Sequence, residues 1–423
     1  MVASFLALPA LWSAPKLERP AERRLFGIPR GIDALCGLLG VAAFSLVVFA
    51  GATGNQIPTA NLAPTAVFVL FWVGVPVLSA LLGDVFRVFS PWRAIARAVA
   101  FAAGRTKWGR EIGAPLPYPA ALGRWPAVAG ILAFAWLELV FVDRQHPATL
   151  AVLAVAYALV QLVGMTCFGI EAWTENGDAF GVAFNLFARL SPFHVRDGAA
   201  WRRPPLAGLP AVRPLPGTVA LVVTMIGTTT FDGFLNGPVW RSVAPSLRGD
   251  FVELGLGSTA ALELALTLGL AASVLLCAGL YALGVKGMSS VSEHHHPREL
   301  ARAFAHSLVP IAFGYLLAHY FSLLVIQGQA VAYLISDPAG TGADLFGTAG
   351  TKIDPGIVSA AAIWYFQVAA LVSGHVSGLA LAHDRALVLY GDSRSAGESQ
   401  RWMLAVMVTF TCLGLWLLSA VNT

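Results

Sequence analysis

Long apolar runs, separated by short polar segments rich in arginine, dominate this chain. A helix that crosses the hydrocarbon core of a bilayer needs about 20 mostly apolar residues. Only a helix satisfies all its backbone polar groups within one segment, and the short alternating runs of a β-barrel are missing from the sequence. We therefore predict an all-α transmembrane bundle, a single integral-membrane domain over residues 1–423. The predicted spans are 33–52, 63–82, 125–142, 148–169, 217–233, 258–284, 303–326, 356–381 and 402–420.

The composition excludes soluble and disordered proteins. Hydrophobic residues make up 57% of the chain and charged residues 12%, against roughly 25% charged residues in ordinary globular proteins. A soluble fold has too little interior to bury so much apolar surface, whereas a bilayer accommodates it. The net charge of +4 does not indicate a nucleic-acid partner, because the basic residues lie between the apolar runs, as in membrane-flanking loops.

The distribution of lysine and arginine predicts the orientation. If the N-terminus is inside and the spans alternate, the inside segments hold 23 of the 27 Lys and Arg residues. The outside segments hold the other four, Arg144, Arg241, Arg248 and Lys352. Cytoplasmic loops of membrane proteins are enriched in these residues. We therefore predict a multi-pass protein of the bacterial inner membrane, with a cytoplasmic N-terminus and membrane lipids as partners.

Three segments outside the spans have recognisable patterns. Two long cytoplasmic loops, 84–124 and 170–216, contain the amphipathic stretches VFRVFSPWRAIARAVAFAA and DAFGVAFNLFARLSPF. These stretches predict two interfacial amphipathic helices whose arginines reach anionic headgroups. Residues 1–14 are apolar but too short to span, and they lack the basic region and cleavage site of a signal peptide. We expect them to be the remnant of an N-terminal helix.

Ionisable residues within the predicted spans are the first candidates for function, since a central Asp, Lys or Arg costs roughly 2.5–3.5 kcal/mol on the insertion scale. Glu138, Asp232 and His319 fall in the outer half of the bilayer, where Asp232 ends a polar stripe that begins at Thr224 and Thr228. Two carboxylates and a histidine are suited to bind a divalent metal ion or to relay protons. We predict catalytic roles for Glu138 and Asp232.

Three histidines occupy the inner half. His306 and His375 lie at similar depths on adjacent spans, and His383 lies two turns closer to the surface than His375. At 1.5 Å per residue, His375 and His383 are about 12 Å apart along their helix, too far to share one ion easily. The predicted metal ligands are His306, His375, His319 and His383. The alternative for each is an interhelical hydrogen bond.

Several stretches together resemble a family of bacterial polytopic membrane proteins named fenitrothion hydrolase. They include GDVFRVFSPWRAIAR (83–97), AFAHSLVPIAFGYLLAHYFSLLVIQGQA (303–330) and GHVSGLALAHDRAL (374–387). The resemblance extends from about residue 3 to residue 422. The family name implies hydrolysis of an organophosphorothioate triester with release of a nitrophenol. No catalytic residues are transferred from the family to this chain.

The sequence contains no Walker loop, HExxH, GxSxG or dinucleotide-binding motif, so it does not resemble the common soluble enzymes. The leading hypothesis is a membrane-embedded, metal-dependent hydrolase of apolar organophosphate-like esters. Its divalent metal would activate a water molecule for attack on an apolar small molecule. One alternative is a metal- or cofactor-binding membrane component or small-molecule permease without hydrolytic activity. Another is a structural subunit that associates with a partner protein in the membrane.

Overall fold

The apolar runs of the sequence form helices in the computed structural model, which describes residues 12–18, 20–106, 114–290, 295–391 and 393–421. Several helices begin with proline in the first turn, where its missing N–H costs no hydrogen bond. The helices are α1 Arg30–Thr53, α2 Leu62–Leu82, α3 Val85–Phe89, α4 Pro91–Ala103, α5 Trp125–Leu139, α6 Pro147–Phe168, α7 Ile170–Asn176, α8 Ala179–Ala188, α9 Thr218–Leu235, α10 Pro238–Glu253, α11 Ser258–Ser289, α12 Pro297–Leu334, α13 Ala360–Tyr390 and α14 Ser393–Val421.

The predicted all-α bundle is confirmed. Seven of the described helices are long and apolar enough to cross a membrane, namely α1, α2, α6, α9, α11, α12 and α13. The run predicted at 125–142 forms the 15-residue helix α5, which ends before the charged pair Asp143 and Arg144. The ninth predicted run, 402–420, lies within α14. The N-terminal remnant predicted at 1–14 falls mostly outside the described residues, and its described part, 12–14, is not helical.

Two of the long helices are irregular. Within α2, residues Thr65–Gly74 form π-helical turns, an arrangement that is rare in proteins and frequent at functional sites. Within α12, the 3₁₀ turn Ala305–Leu308 separates the amphipathic first part, Pro297–Phe304, from the apolar main part, Val309–Ile326. Both irregular segments contain or border residues of the candidate site.

The loops fall into two groups that lie at opposite ends of the bundle. At one end, the α1–α2 connection bonds to the α12–α13 connection, with Asn55 donating to the carbonyl of Ala339. The α5–α6 connection joins the same end, since the backbone N–H of Ala148 donates to the side-chain oxygen of Gln56. The other end holds the loops that contain most of the arginines, and we call it the arginine-rich end. The contacts therefore divide the loops into the same two groups as the distribution of lysine and arginine.

A small antiparallel sheet covers part of the arginine-rich end, and the sequence analysis did not foresee it. Its strands are β1 Arg23–Gly27, β2 Phe193–Arg196 and β3 Ala199–Arg202, in the order β1-β3-β2. Asp197 and Gly198 connect β2 to β3 with positive φ values of 52° and 67°. This Asp-Gly pair is typical of a two-residue hairpin turn. The sheet ties the segment before α1 to the second long loop.

The first amphipathic stretch is helical as predicted, but its arginines bind acidic residues of the protein itself. Arg87 lies 2.6 Å from Glu171, and Arg93 lies 3.1 Å from the same carboxylate. Arg93 and Arg97 also reach Asp33 at the start of α1. The contact of these side chains with lipid headgroups stays a prediction. They connect α4 to α1 and α7.

The second amphipathic stretch forms α8, which is enclosed by protein, whereas the sequence analysis placed it in the interface. All of its residues except Asn185 are buried, and Phe180 and Phe184 pack against Phe71 of α2. Asn185 donates to the carboxylate of Asp84, which also caps α3 by accepting from the Arg87 backbone N–H. Burial raises the pKa of the Asp84 carboxyl, against the opposing effect of these two hydrogen bonds. The helix is therefore part of the core.

Glycines allow α12 and α13 to pack closely. A Cβ atom on Gly374 would lie 2.6 Å from the carbonyl oxygen of Pro310, and one on Gly314 would lie 2.8 Å from that of Ala370. Small residues permit such approach of backbones in membrane bundles. This contact brings the polar residues of both helices into the interior.

We predict that Gly374→Ala destabilises the bundle, because the added methyl group meets a backbone carbonyl that cannot move independently of α12. Overpacking of this kind costs about 1–3 kcal/mol. The measurement is the unfolding temperature of the detergent-purified protein. Gly279→Ala on α11 is the matched control, since a Cβ there has no atom within 4 Å and the gain in helix propensity is the same. Equal unfolding temperatures for the two variants would contradict the prediction.

Candidate functional site

Four polar side chains from three helices meet inside the bundle, and we call them the acid–histidine cluster: Glu138 of α5, Asp232 of α9, and His319 and Tyr320 of α12. His319 Nε2 lies 2.9 Å from Asp232 Oδ2, and the Tyr320 hydroxyl lies 2.7 Å from the same oxygen. The Tyr320 hydroxyl is also 3.3 Å from Glu138 Oε1. The three residues predicted for the outer half of the bilayer therefore share one network, with Tyr320 as the connecting group.

The pairing of Asp232 with His319 determines which nitrogen of the imidazole ring carries the hydrogen. Because the carboxylate accepts the hydrogen on Nε2, the neutral ring carries its lone pair on Nδ1. His319 and Asp232 retain 24% and 18% of their side-chain exposure, so the pair is not fully enclosed by protein. The cluster thus presents an oriented proton acceptor.

The π-helical segment of α2 borders the cluster. Trp72 lies in this segment, beside Tyr320, and its side chain is buried. Its buried indole nitrogen is a hydrogen-bonding neighbour of the Tyr320 hydroxyl. The π-helical segment therefore places a further polar group beside the cluster.

Sequence reasoning missed Tyr320. Tyr315, one helical turn before His319 on α12, does not join the cluster. The Tyr315 hydroxyl instead donates to the carbonyl of Phe410 on α14, at 2.6 Å. Tyr320 follows His319 directly, about 100° around the helix, and helical periodicity does not place such neighbours on one face. They converge here because both side chains reach the same carboxylate oxygen of Asp232.

The threonine stripe on α9 does not extend the cluster. Thr228 and Thr229 both donate to the carbonyl of Met225, and Thr230 donates to that of Ile226. Hydroxyls in a helix without other partners commonly return to their own backbone in this way. Asp232 is therefore the residue of this stripe whose side chain bonds to another helix.

His306 and His375 are buried but have different surroundings. His306 Nδ1 lies 2.9 Å from the carbonyl of Ala303, and His375 Nδ1 lies 2.8 Å from that of Leu371. The ring of His375 packs on Tyr315 with centroids 5.8 Å apart, whereas His306 lies near Arg385. In both rings Nε2 is buried and without a partner among the described residues. No recorded contact between described atoms joins the two imidazoles.

His383 holds the N-terminal segment. Its Nε2 lies 2.9 Å from the carbonyl of Trp12, and its Nδ1 lies 3.3 Å from the amide nitrogen of Gln400. Both ring nitrogens are thus used in hydrogen bonds, and neither is left for a metal ion. Over all described residues, no group of three or more His, Cys, Asp or Glu side chains is placed to hold a metal ion.

Residues 383–385 act together as a clamp on residues 12–18. Asp384 is buried and accepts hydrogen bonds from the Trp12 indole at 2.8 Å, the Lys16 backbone N–H at 2.6 Å and the Leu17 backbone N–H at 3.2 Å. Arg385 pairs with Glu18 at 3.0 Å. The AHDRAL motif therefore attaches the N-terminal segment to the arginine-rich end of α13.

Comparison of the chain with protein-family models, with curated proteins and with solved structures finds no match. The resemblance to the fenitrothion hydrolase family and the activity that it implies therefore stay predictions. The functional argument rests on the geometry of the cluster.

We predict that Asp384→Ala exposes the N-terminal segment to trypsin. The Lys16–Leu17 bond is protected because the amide nitrogens of both residues bond to the Asp384 carboxylate. Its removal leaves three donors unpaired, and cleavage after Lys16 should accelerate at least several-fold. Limited proteolysis with mass spectrometry measures this rate. Asp250→Ala, at an exposed position of α10, is the control. If Asp384→Ala is cleaved no faster than this control, the clamp does not hold the segment.

Proposed function

We propose that this chain is a multi-pass protein of the bacterial plasma membrane whose acid–histidine cluster binds and releases protons during the passage of a small molecule. The arginine-rich end and the N-terminus face the cytoplasm in this proposal, because Lys and Arg are enriched in cytoplasmic loops. This is the function of a proton-coupled permease, the alternative to hydrolysis that the sequence already offered.

The observation that carries the proposal is the hydrogen bond between Asp232 and His319 within membrane-spanning helices. Ionisable residues at this depth are costly and are usually found in ion or proton pathways. Tyr320 has one hydroxyl hydrogen and lies between two carboxyl groups, so a proton gained at either one changes which group the phenol bonds. The cluster is therefore suited to pass protons between its members.

The residual exposure of His319 and Asp232 supports a small-molecule site beside the proton site. A small molecule that touches either side chain would be in contact with the groups that change protonation. Binding of the small molecule and of the proton would then influence each other, as coupled transport requires.

Hydrolysis is a second proposal, favoured by the same Asp–His pair. His319 Nδ1 is oriented to take a proton from water that attacks an apolar ester, as a general base does. The metal-dependent form of this proposal is weaker, since the described donor groups do not form a metal site. In the metal-free form, Asp232 orients the base and Tyr320 offers a hydrogen bond to a developing negative charge.

We predict that proton binding at the cluster is visible by infrared spectroscopy. Acid titration of the purified protein should produce a carboxylic-acid C=O band, because a carboxylate gains a proton. Asp232→Asn should remove or shift this band, since the amide keeps the acceptor oxygen but cannot titrate. Asn236→Ala, at an exposed position without a carboxyl group, should leave the band unchanged. A band that is identical in Asp232→Asn and wild type would exclude Asp232 from the titrating network.

We predict that wild-type protein in vesicles admits protons under a membrane potential, reported by a pH-sensitive dye inside the vesicle. His319→Gln and Asp232→Asn should reduce this flux at least tenfold, because each removes a proton-carrying group. Asp250→Asn serves as the control. Release of nitrophenol from a nitrophenyl phosphotriester by the same preparations tests the second proposal. Turnover that needs His319, without proton flux, would favour hydrolysis over transport.

A further inference from the structure

A groove of about 540 Å³ opens between four helices near the arginine-rich end. It is lined by the start of α5, the first two turns of α9, the last part of α11 and the first part of α12. The helices α9 and α11 touch at Gly227, where a Cβ atom would lie 2.7 Å from the Cα of Val274. The groove lies between this contact and the arginine-rich end. Its volume is within the range of ligand sites, roughly 300–1,000 Å³.

Small apolar residues form the wall of the groove. Ala220 of α9, Ala278 and Ala282 of α11, and Ala301 of α12 all line it. Their short side chains leave the concavity that leucine or phenylalanine would fill. Trp125 stands at the rim and remains 51% exposed, as interfacial tryptophans of membrane proteins do. The wall is therefore suited to a hydrocarbon chain and offers little to a free ion.

Two arginines provide charge at one edge of this apolar wall. Arg298 and Arg302 both line the groove and lie one helical turn apart, so they are on the same side of α12. Both are exposed, and neither forms an ion pair with a described carboxylate. On the opposite face, Leu300 and Phe304 are buried and hold the helix against the bundle. The helix therefore holds both arginines at the edge of the groove, and no described carboxylate forms an ion pair with either of them.

We propose that the groove binds an anionic phospholipid, with an acyl chain along the alanine wall and the headgroup phosphate between Arg298 and Arg302. Basic pockets between transmembrane helices on the cytoplasmic side are suited to anionic headgroups, and the groove joins such a pair of charges to an apolar surface. Guanidinium groups bind phosphate with directed, charge-assisted hydrogen bonds. This site is independent of the proton-transfer function proposed above, since its residues do not belong to the acid–histidine cluster.

The test is a titration of detergent-purified protein with dioleoyl phosphatidylglycerol, with bound lipid counted by native mass spectrometry. Wild type should bind one such lipid more tightly than dioleoyl phosphatidylcholine. The double variant Arg298→Gln/Arg302→Gln should bind it roughly 10- to 30-fold more weakly, since each basic residue near anionic lipid contributes about fivefold. Arg241→Gln/Arg248→Gln on α10 is the matched control with unchanged affinity.

Groove-filling variants separate a built site from general attraction of lipid to positive charge. Ala282→Phe keeps both arginines and occupies the wall, so it should lose the bound lipid as well. Ala278→Leu serves the same purpose if Ala282→Phe does not fold. Lipid retained in a folded groove-filling variant, equal binding of phosphatidylcholine, or unchanged affinity in the double arginine variant would each overturn the proposal. Displacement of the lipid by millimolar inorganic phosphate would also overturn it, since the site would then recognise the anion alone.

Discussion

A polar group inside the hydrocarbon region must find its partner within the protein, and this constraint organises the bundle. The hydroxyls of Thr228, Thr229 and Thr230 return to carbonyls of their own helix, and Tyr315 reaches a carbonyl of α14. These hydroxyl groups bond within the protein, because water is not available in the hydrocarbon region to replace a missing partner. The acid–histidine cluster differs from them, since its carboxyl, imidazole and phenol groups bond to one another across three helices. Such a network has several arrangements of its protons, whereas a hydroxyl bonded to its own backbone has one.

The ends of the bundle satisfy the same constraint by different means. At the arginine-rich end, Arg87, Arg93 and Arg97 meet Asp33 and Glu171, so the charges that indicate the cytoplasmic side also join neighbouring helices. These pairs are partly exposed, and each contributes little free energy on its own. The buried carboxylate of Asp384 contributes more to holding the N-terminal segment in place, because it accepts hydrogen bonds from three of its donors. The arrangement explains why acidic residues accompany the basic ones in the loops.

Helical spans are predictable from this sequence because the length of an apolar run is a local property, and eight of the nine predicted runs form helices at least 18 residues long. Features that depend on distant residues were not predictable. The apolar face of α8 indicated that the helix packs against an apolar surface. Periodicity does not show whether that surface is lipid or another part of the protein, such as Phe71.

Depth along a helix correctly placed Glu138, Asp232 and His319 at one level. The meeting of His306 and His375 stays a prediction, because depth contains no information on rotation about the helix axis.

The most buried span connects the two sites. In α9, 72% of the apolar window is buried inside the protein, against 22–50% in the other six candidate spans, so α9 is the central helix. Its first turns line the groove through Val219, Ala220 and Val223, and Asp232 lies nine residues beyond, about 13 Å along the axis. The second helix common to both is α12, whose 3₁₀ turn at 305–308 separates Arg302 from His319. A span surrounded by protein has little freedom to tilt, because close-packed neighbours hold it on every side. This packing therefore fixes the position of Asp232 within the acid–histidine cluster.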